Sequence, residues 1–343
     1  MFADLPFTIL LLIGGVAACV ILLAGLFLTG LADHIADRTG FGEAVVGGVL
    51  LGAATSFSGT IVSLTAALDG RASLAFSNGI GGIAAQTAFL ALADMVYRRA
   101  NLEHAAAELV NVFQCGILLM LLAIPLAAYT SPEFTLFEIH PASIALVVIY
   151  AIGVLASTQL RAAPMWRPVQ TEETREDIPE DDEREDRSAL WLSLQFIGLV
   201  VALGAAGWVV SRVGGEITDR LGWSASIVGA LITAVITSLP ELVTTLAAVR
   251  RGALQLAVGG IIGGNTFDTL FLTVSDFGYR DGSIYHAIQT DDLFWLTVAM
   301  LMTTVLMLGL IFREKQGPGG IGRESVALLA IYAGAIAVQT LAA

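Results

Sequence analysis

The chain has 343 residues, 56% hydrophobic and only 14% charged, with a mean hydropathy of +0.79. Soluble domains carry about one quarter charged residues, so a water-soluble globular protein is excluded and an integral membrane protein is expected. The net charge of −13 argues against a nucleic-acid partner, which is held by clustered lysine and arginine.

A membrane-spanning helix needs about 20 mostly apolar residues. The apolar runs here are continuous rather than alternating, which predicts helices and not a barrel. In chain order there are ten: residues 6–31, 43–68, 72–96, 109–129, 141–162, 189–211, 225–249, 253–277, 291–312 and 324–342. The first is too long for a cleaved leader and starts beside Asp4 instead of a basic residue, so it is expected to be retained. Cys19 and Cys115 lie in apolar runs without metal-ligand spacing and are expected to be small buried hydrophobes.

Basic residues set the expected orientation. Connections on the N-terminal side hold Arg71, Arg212, Arg220 and Arg280, and the other side holds the remaining thirteen of the seventeen basic residues. The arginine-rich side is expected to be cytoplasmic and both termini outside, in a multi-pass protein of the cell membrane. Between the fifth and sixth runs lies "TEETREDIPEDDEREDR" at 171–187, with ten acids and three arginines. Such a block repels itself and stays solvated, so residues 164–188 are expected to be a cytoplasmic linker. A single lysine against sixteen arginines, with the acidic total, would suit a high-salt cytoplasm.

Displaced by 182 residues, the chain matches itself. Residues 37–98 against 219–280 give 21 identities in 62 positions without a gap. They include the polar pairs Thr55/Thr237, Ser56/Ser238 and Asp94/Asp276, which shared hydrophobicity would not produce. The second run starts on the arginine-rich side and the seventh on the opposite side, so the copies are expected to be inverted. The expected architecture is all-α: ten transmembrane helices in two inverted five-helix repeats, 1–163 and 189–343, around the linker. Inverted halves meeting near the midplane are a transporter plan, and the most interrupted spans mark the site.

Well inside the runs there are two carboxylates, Glu241 and Asp268, with no Lys, Arg or His. Asp94 and Asp276 lie near run ends and are expected to be interfacial or structural. Intramembrane charge costs about 3 kcal/mol per residue even on lenient scales and marks function by default. In "ITSLPELVTTL" at 236–246, Pro240 cannot donate a backbone hydrogen bond, which frees the Ile236 carbonyl. Thr237, Ser238, Glu241 and Thr245 share one helix face. In "GGIIGGNTFDTL" at 259–270, Asn265, Asp268 and Thr269 do the same. The first of these faces offers a carboxylate, hydroxyls and a freed carbonyl, all oxygen, and hard cations such as calcium or sodium take oxygen ligands.

These motifs resemble those of the calcium/cation antiporter superfamily, the sodium/calcium exchangers and their relatives. "TSLPEL" at 237–242 is similar to the family's G-T-S-x-P-E, with Ile236 in place of Gly; "GGNTFD" at 263–268 is similar to G-S-N-x-x-[ND], with Gly264 in place of Ser. The resemblance implies that Thr237, Ser238, Glu241 and Asp268 line cation sites. In the first copy Thr55 and Ser56 match, but Ser58 replaces the proline, Gly59 the glutamate and Ile83 the asparagine, while Gln86 takes the acid/amide position.

The function expected from the resemblance is exchange of calcium or another cation for sodium or protons, with no enzymatic activity and no cofactor. Expected partners are inorganic cations and the lipid bilayer; the sequence leaves the oligomeric state open. Two carboxylates balance one calcium or two monovalent ions, not a calcium together with sodium, so competition for one place is expected. One of two facing acids would take a proton when the site empties. The alternatives are a sodium/proton exchanger that does not carry calcium and a non-transporting cation sensor or scaffold. A serine protease at "SFSG" (56–59) lacks a base in reach: the four histidines and Lys315 all lie in connections or run ends.

Overall fold

The computed structural model describes residues 2–39, 53–97, 99–174, 189–317 and 320–342. Residues 40–52, where the second apolar run was expected to start, and 175–188, which hold most of the acidic linker, lie outside the described residues. Among the described residues all regular structure is helical apart from one isolated bridge, Leu136 to Ile139.

The first half comprises α1 (Phe7–Thr39), α2 (Phe57–Leu68), α3 (Ala72–Val96), the short α4 (Leu102–Ala105), α5 (Leu109–Thr130) and α6 (Pro141–Ala162). The second comprises α7 (Ala189–Leu221), α8 (Ala225–Thr237), α9 (Leu239–Arg251), α10 (Leu254–Asp268), α11 (Leu270–Gly278), the short α12 (Ile284–Ala287), α13 (Thr290–Phe312) and α14 (Arg323–Ala342). Among the described residues eight helical segments are long and apolar enough to cross a membrane. α8 and α9 pass the same test together, bent by 48°, and α2 is a shorter apolar helix.

α3 is the axis of the bundle. Its best apolar window is 83% buried, against 22% for those of α6, α7 and α14. The cause is composition: "ASLAFSNGIGGIAAQTAFLALADMV" is mostly small residues, so neighbours approach it from all sides. α8 comes closest, through a π-helical stretch, Val228–Thr233. A side chain at Gly81 would enter the Ala230 backbone, with its Cβ 2.7 Å from the Ala230 carbonyl oxygen. The outer helices show the opposite pattern. Leu12, Val16, Leu23 and Phe27 of α1, and Leu194, Ile197 and Val201 of α7, recur at helical spacing and are exposed, as a lipid-facing stripe requires. Cys19 belongs with that exposed face, which corrects the expectation of burial; Cys115 is buried as expected. A bilayer accepts an apolar side chain as readily as a protein core does, so an apolar run does not report which of the two receives it.

Positions 182 apart do the same work. α2 and α9 both end on glycines with positive φ, Gly70 at +71° and Gly252 at +88°, where a side chain would be strained. The next amides, Arg71 and Ala253, donate to the Ala66 and Ala248 carbonyls, a helix-ending motif made twice. Asp94 accepts from the amides of Leu102 (2.7 Å) and Gly322 (2.8 Å). Asp276 accepts from those of Ile284 (3.3 Å) and His140 (2.8 Å). Both acids are therefore structural, each pinning a short helix and the start of a long one to its own helix end.

Gly81→Ala is expected to lower the stability of the purified chain by about 1–3 kcal/mol, the cost of overpacking, read as a lowered unfolding midpoint in detergent. Gly260→Ala, which meets nothing within 4 Å, should leave that midpoint unchanged.

Candidate cation site

The break between α8 and α9 is local chemistry. Pro240 sits in the first turn of α9, where its missing N–H costs nothing, and Ser238 takes φ −95° and ψ 5° between the helices. Gly25 of α1 faces the Pro240 ring, its absent Cβ only 2.8 Å from Pro240 Cβ, so the kink is braced from outside. Glu241 follows in the first turn of α9, where amide dipoles favour negative charge. Asp268 closes α10, and the helix restarts at Leu270.

Glu241 and Asp268 line one small cavity together with Ser56, Gln86, Thr237 and Ser238. Its volume is about 10 Å³, on the scale of one water or one bare ion. Both acids are buried, 6% and 2% exposed. No Lys, Arg or His lines the cavity. Four of its oxygens, Ser56 Oγ, Gln86 Oε1, Glu241 Oε2 and Asp268 Oδ1, are buried without a hydrogen-bond partner. A buried polar atom left unpaired costs about 1–3 kcal/mol, so this set is an unsatisfied, all-oxygen acceptor surface. Its chemistry fits a hard cation.

Gln86 organises the centre. Its Nε2 donates to Asp268 Oδ2 at 2.7 Å and to Ser238 Oγ at 3.2 Å. Gln86 and Asp268 stand 182 residues apart, so equivalent positions of the two halves meet face to face. One is an acid and the other an amide, and repulsion between two acids is replaced by a hydrogen bond. Gly82 leaves the approach open: a Cβ there would lie 3.5 Å from Ser238 Oγ and 3.7 Å from Asp268 Oδ2. Thr55, outside the cavity lining, hydrogen-bonds the Glu241 carboxyl.

Gly59, opposite Glu241 in the repeat, is filled space. A Cβ there would lie 2.6 Å from Phe271 Cε2 and 3.0 Å from its Cζ. Phe271 is 3% exposed and packs edge-on to Phe267, so the ring has little room to leave. The position that holds an acid in α9 is occupied in α2 by a neighbour's phenyl group.

Two lining residues, Asn78 and Phe271, were not singled out in the sequence. Asn78 precedes Gly82 and Gln86 at four-residue steps, the same face of α3, and that spacing was the available signal. It is fully engaged: Nδ2 donates to the Gly59 carbonyl (3.1 Å) and Ser63 Oγ (2.9 Å), while Oδ1 accepts from Thr233 (2.7 Å). Asn265 shares the helix face of Asp268, and its Oδ1 is buried without a partner. It does not line the cavity, and its Nδ2 donates to Thr87 Oγ1 at 3.0 Å. Thr269 donates to the Thr266 carbonyl, and neither Thr245 nor Ile236 lines the cavity.

A family model described as "Sodium/calcium exchanger protein" matches residues 8–159 and again 190–341. The inner membrane protein YrbG of Escherichia coli is 26% identical over 85% of this chain and 86% of its own length. The putative antiporter CaxA of Alkalimonas amylolytica is 29% identical over 70% of this chain and 71% of its own. Sodium/potassium/calcium exchanger 1 of Gallus gallus is 27% identical over 37% of this chain, and that match spans only 20% of the chicken protein. Among solved structures, the sodium-calcium exchanger NCX_Mj superposes with a TM-score of 0.61 at 18% identity, covering 97% of this chain and 99% of that one. The H+/Ca2+ exchanger CAX superposes with a TM-score of 0.65 at 14% identity, covering 97% and 86%. At such identities the superpositions speak for the fold.

Gln86→Leu would leave Asp268 Oδ2 without its amide donor. It is expected to destabilise the chain by about 1–3 kcal/mol, read from detergent unfolding, with Gln86→Glu as the near-isosteric comparison, which keeps a donor towards Asp268 only while one of the two facing acids holds a proton.

Proposed function

Since the chain belongs to the sodium/calcium exchanger protein family and is a multi-pass membrane protein built of apolar helices, we propose that it is a cation antiporter. One oxygen-lined midplane site would be held by Glu241 and Asp268. Thr55, Ser56, Gln86, Thr237 and Ser238 would serve as neutral ligands or orient the acids. The carrying observation is the set of unpartnered carboxylate and amide oxygens around one ion-sized cavity without a basic side chain.

The proposed frame is ten spans in two inverted repeats, 1–163 and 189–343, with the linker 164–188 cytoplasmic and both termini outside. Eight long helices, the bent α8–α9 pair and the short α2 support the count. Support for the repeat comes from two matches of the family model at a fixed offset and from equivalent hydrogen bonds 182 residues apart. Arg71 and Arg212 pair with Asp219 and Asp69, and Arg220 binds carbonyls of Phe2, Ala3 and Leu5. The N-terminus and these few basic residues therefore share one end of the bundle.

Two carboxylates supply at most two negative charges, enough for one calcium or two monovalent ions. With Phe271 closing the Gly59 side, cargo and counter-ion would take turns in one place. Exchange of calcium, or another cation, for sodium or protons follows, and a sodium/proton exchanger without calcium transport uses the same site. Phe271 also favours a second reading, a sensor that binds a cation without moving it, because the plugged half leaves fewer ligands.

Proteoliposomes loaded with calcium, sodium or protons, one gradient varied at a time, test the proposal. Losing an outer partner of a metal site costs about 10–100-fold in affinity, so Glu241→Gln, which removes a ligand charge, should lower cation-dependent flux by about 100-fold or more. Unchanged flux in that variant would end the assignment; cation binding by the native chain with zero flux would favour the sensor. Gly59→Glu alone should fail to yield stable protein. Combined with Phe271→Ala it should fold and change which ions compete, read as calcium uptake against sodium.

A further inference from the structure

At the end of the bundle remote from the N-terminus, three acids from three segments converge. A Cβ at Gly322 would lie 3.0 Å from Glu324 Oε2, 3.3 Å from Asp94 Oδ2 and 3.3 Å from Glu103 Oε2. Glu103, in α4, is 2% exposed, and its Oε2 is buried without a partner, as is Glu324 Oε2. Its Oε1 accepts from Ser325 Oγ at 3.4 Å.

The second half shows what this position is built for. The residue 182 beyond Glu103 is Tyr285, and the partner equivalent to Ser325 is Ser143. Tyr285 Oη and Ser143 Oγ lie 2.8 Å apart, beside Asp276, to which Ser143 donates at 2.7 Å. Burial pushes the Tyr285 phenol up, so a neutral O–H group stands there. In the first half the same slot holds a carboxyl.

We propose that Glu103 is a proton-binding site, separate from the central cavity: its neutral carboxyl acts as a strut between α3, α4 and α14, and removal of the proton loosens that junction. Burial, then the charges of Asp94 and Glu324, push its carboxyl up from 4.5 to about 8. Among the described residues, three cations of the neighbouring α13–α14 connection and α14 start are engaged elsewhere. Arg313 binds the Val169 carbonyl, Arg323 pairs with Glu314 and Lys315 with Glu173. His104, on the same short helix, turns to the Arg313 carbonyl and Thr171. α10 and α13 bring apolar side chains to this junction, Leu254, Val258, Leu306 and Leu310. A metal ion fits the cluster poorly. Both Asp94 oxygens already accept amide hydrogens, leaving two buried, unpartnered carboxylate oxygens, Glu103 Oε2 and Glu324 Oε2, where calcium takes six to eight ligands. Among the described residues no group of three acid, histidine or cysteine side chains is placed to hold a metal.

The sign follows from linkage. The opened state releases the proton near 4.5 and the closed state near 8, so the closed state is favoured below this window and loses ground as pH rises through it. Hydrogen-exchange mass spectrometry on the full chain in detergent, corrected for intrinsic exchange, reads this directly. Protection of Leu102–Ala105 and the first turn of α14 should fall by up to about tenfold per pH unit between about 5 and 8. In Glu103→Gln it should be flat. Glu103→Tyr, copying Tyr285, should also be flat and is the substitute if the Gln variant does not fold. A flat native profile, a slope that persists in the variants, or protection restored at about pH 9 by millimolar calcium chloride would each overturn the proposal.

Discussion

Two carboxylates sit inside an apolar bundle with no cationic side chain lining their cavity, and the rest of the architecture accommodates that fact. Charge in such surroundings is tolerated only when dipoles, hydrogen bonds or an ion compensate it. The chain supplies the first two in part: Glu241 in the opening turn of α9, Thr55 against its carboxyl, and the Gln86 amide against Asp268. The compensation stops short, because Glu241 Oε2 and Asp268 Oδ1 remain unpaired. A purely structural pair of acids would be expected to look like Asp94 and Asp276, whose oxygens are met by backbone amides.

The centre is asymmetric although the chain is duplicated. At one repeated position an acid faces an amide across the interface, Asp268 against Gln86. At another, Glu241 has no counterpart, since Gly59 is backed by the Phe271 ring. Both differences lower the negative charge available, which makes simple competition the form of exchange that suits this chain under the proposed antiport. Close packing makes the second difference structural as well as electrostatic: without a side chain at position 59 the ring moves in, and with the ring in place no acid fits.

The halves differ again at their outer ends. Equivalent acids pin equivalent segments, yet Tyr285 stands on one side and Glu103 on the other. A phenol stays neutral across ordinary pH, whereas a carboxyl does so only while it is buried and protonated. One duplicated scaffold thus carries a fixed joint at one end and, on the proposal above, a proton-dependent joint at the other.

Much of this was legible in the sequence. Helical class, membrane residence and the 182-residue period followed from hydropathy and spacing, and Glu241 and Asp268 stood out by the cost of intramembrane charge, all local properties; Gln86 was singled out only by the motif resemblance. The family assignment agrees with the motif resemblance. What the sequence could not decide were relations between distant segments. Asn265 shares a helix face with Asp268 but bonds Thr87, because helical spacing places residues on a face without saying what that face meets. Cys19 and Cys115 sit in similar runs, yet one faces outward and one inward, because bilayer and core are equally apolar. Phe271 reads as an ordinary core aromatic until the fold sets it against Gly59. Residue types and their periods determined which chemistry the chain possesses; only close packing in three dimensions decided which groups share a cavity and which are kept from it.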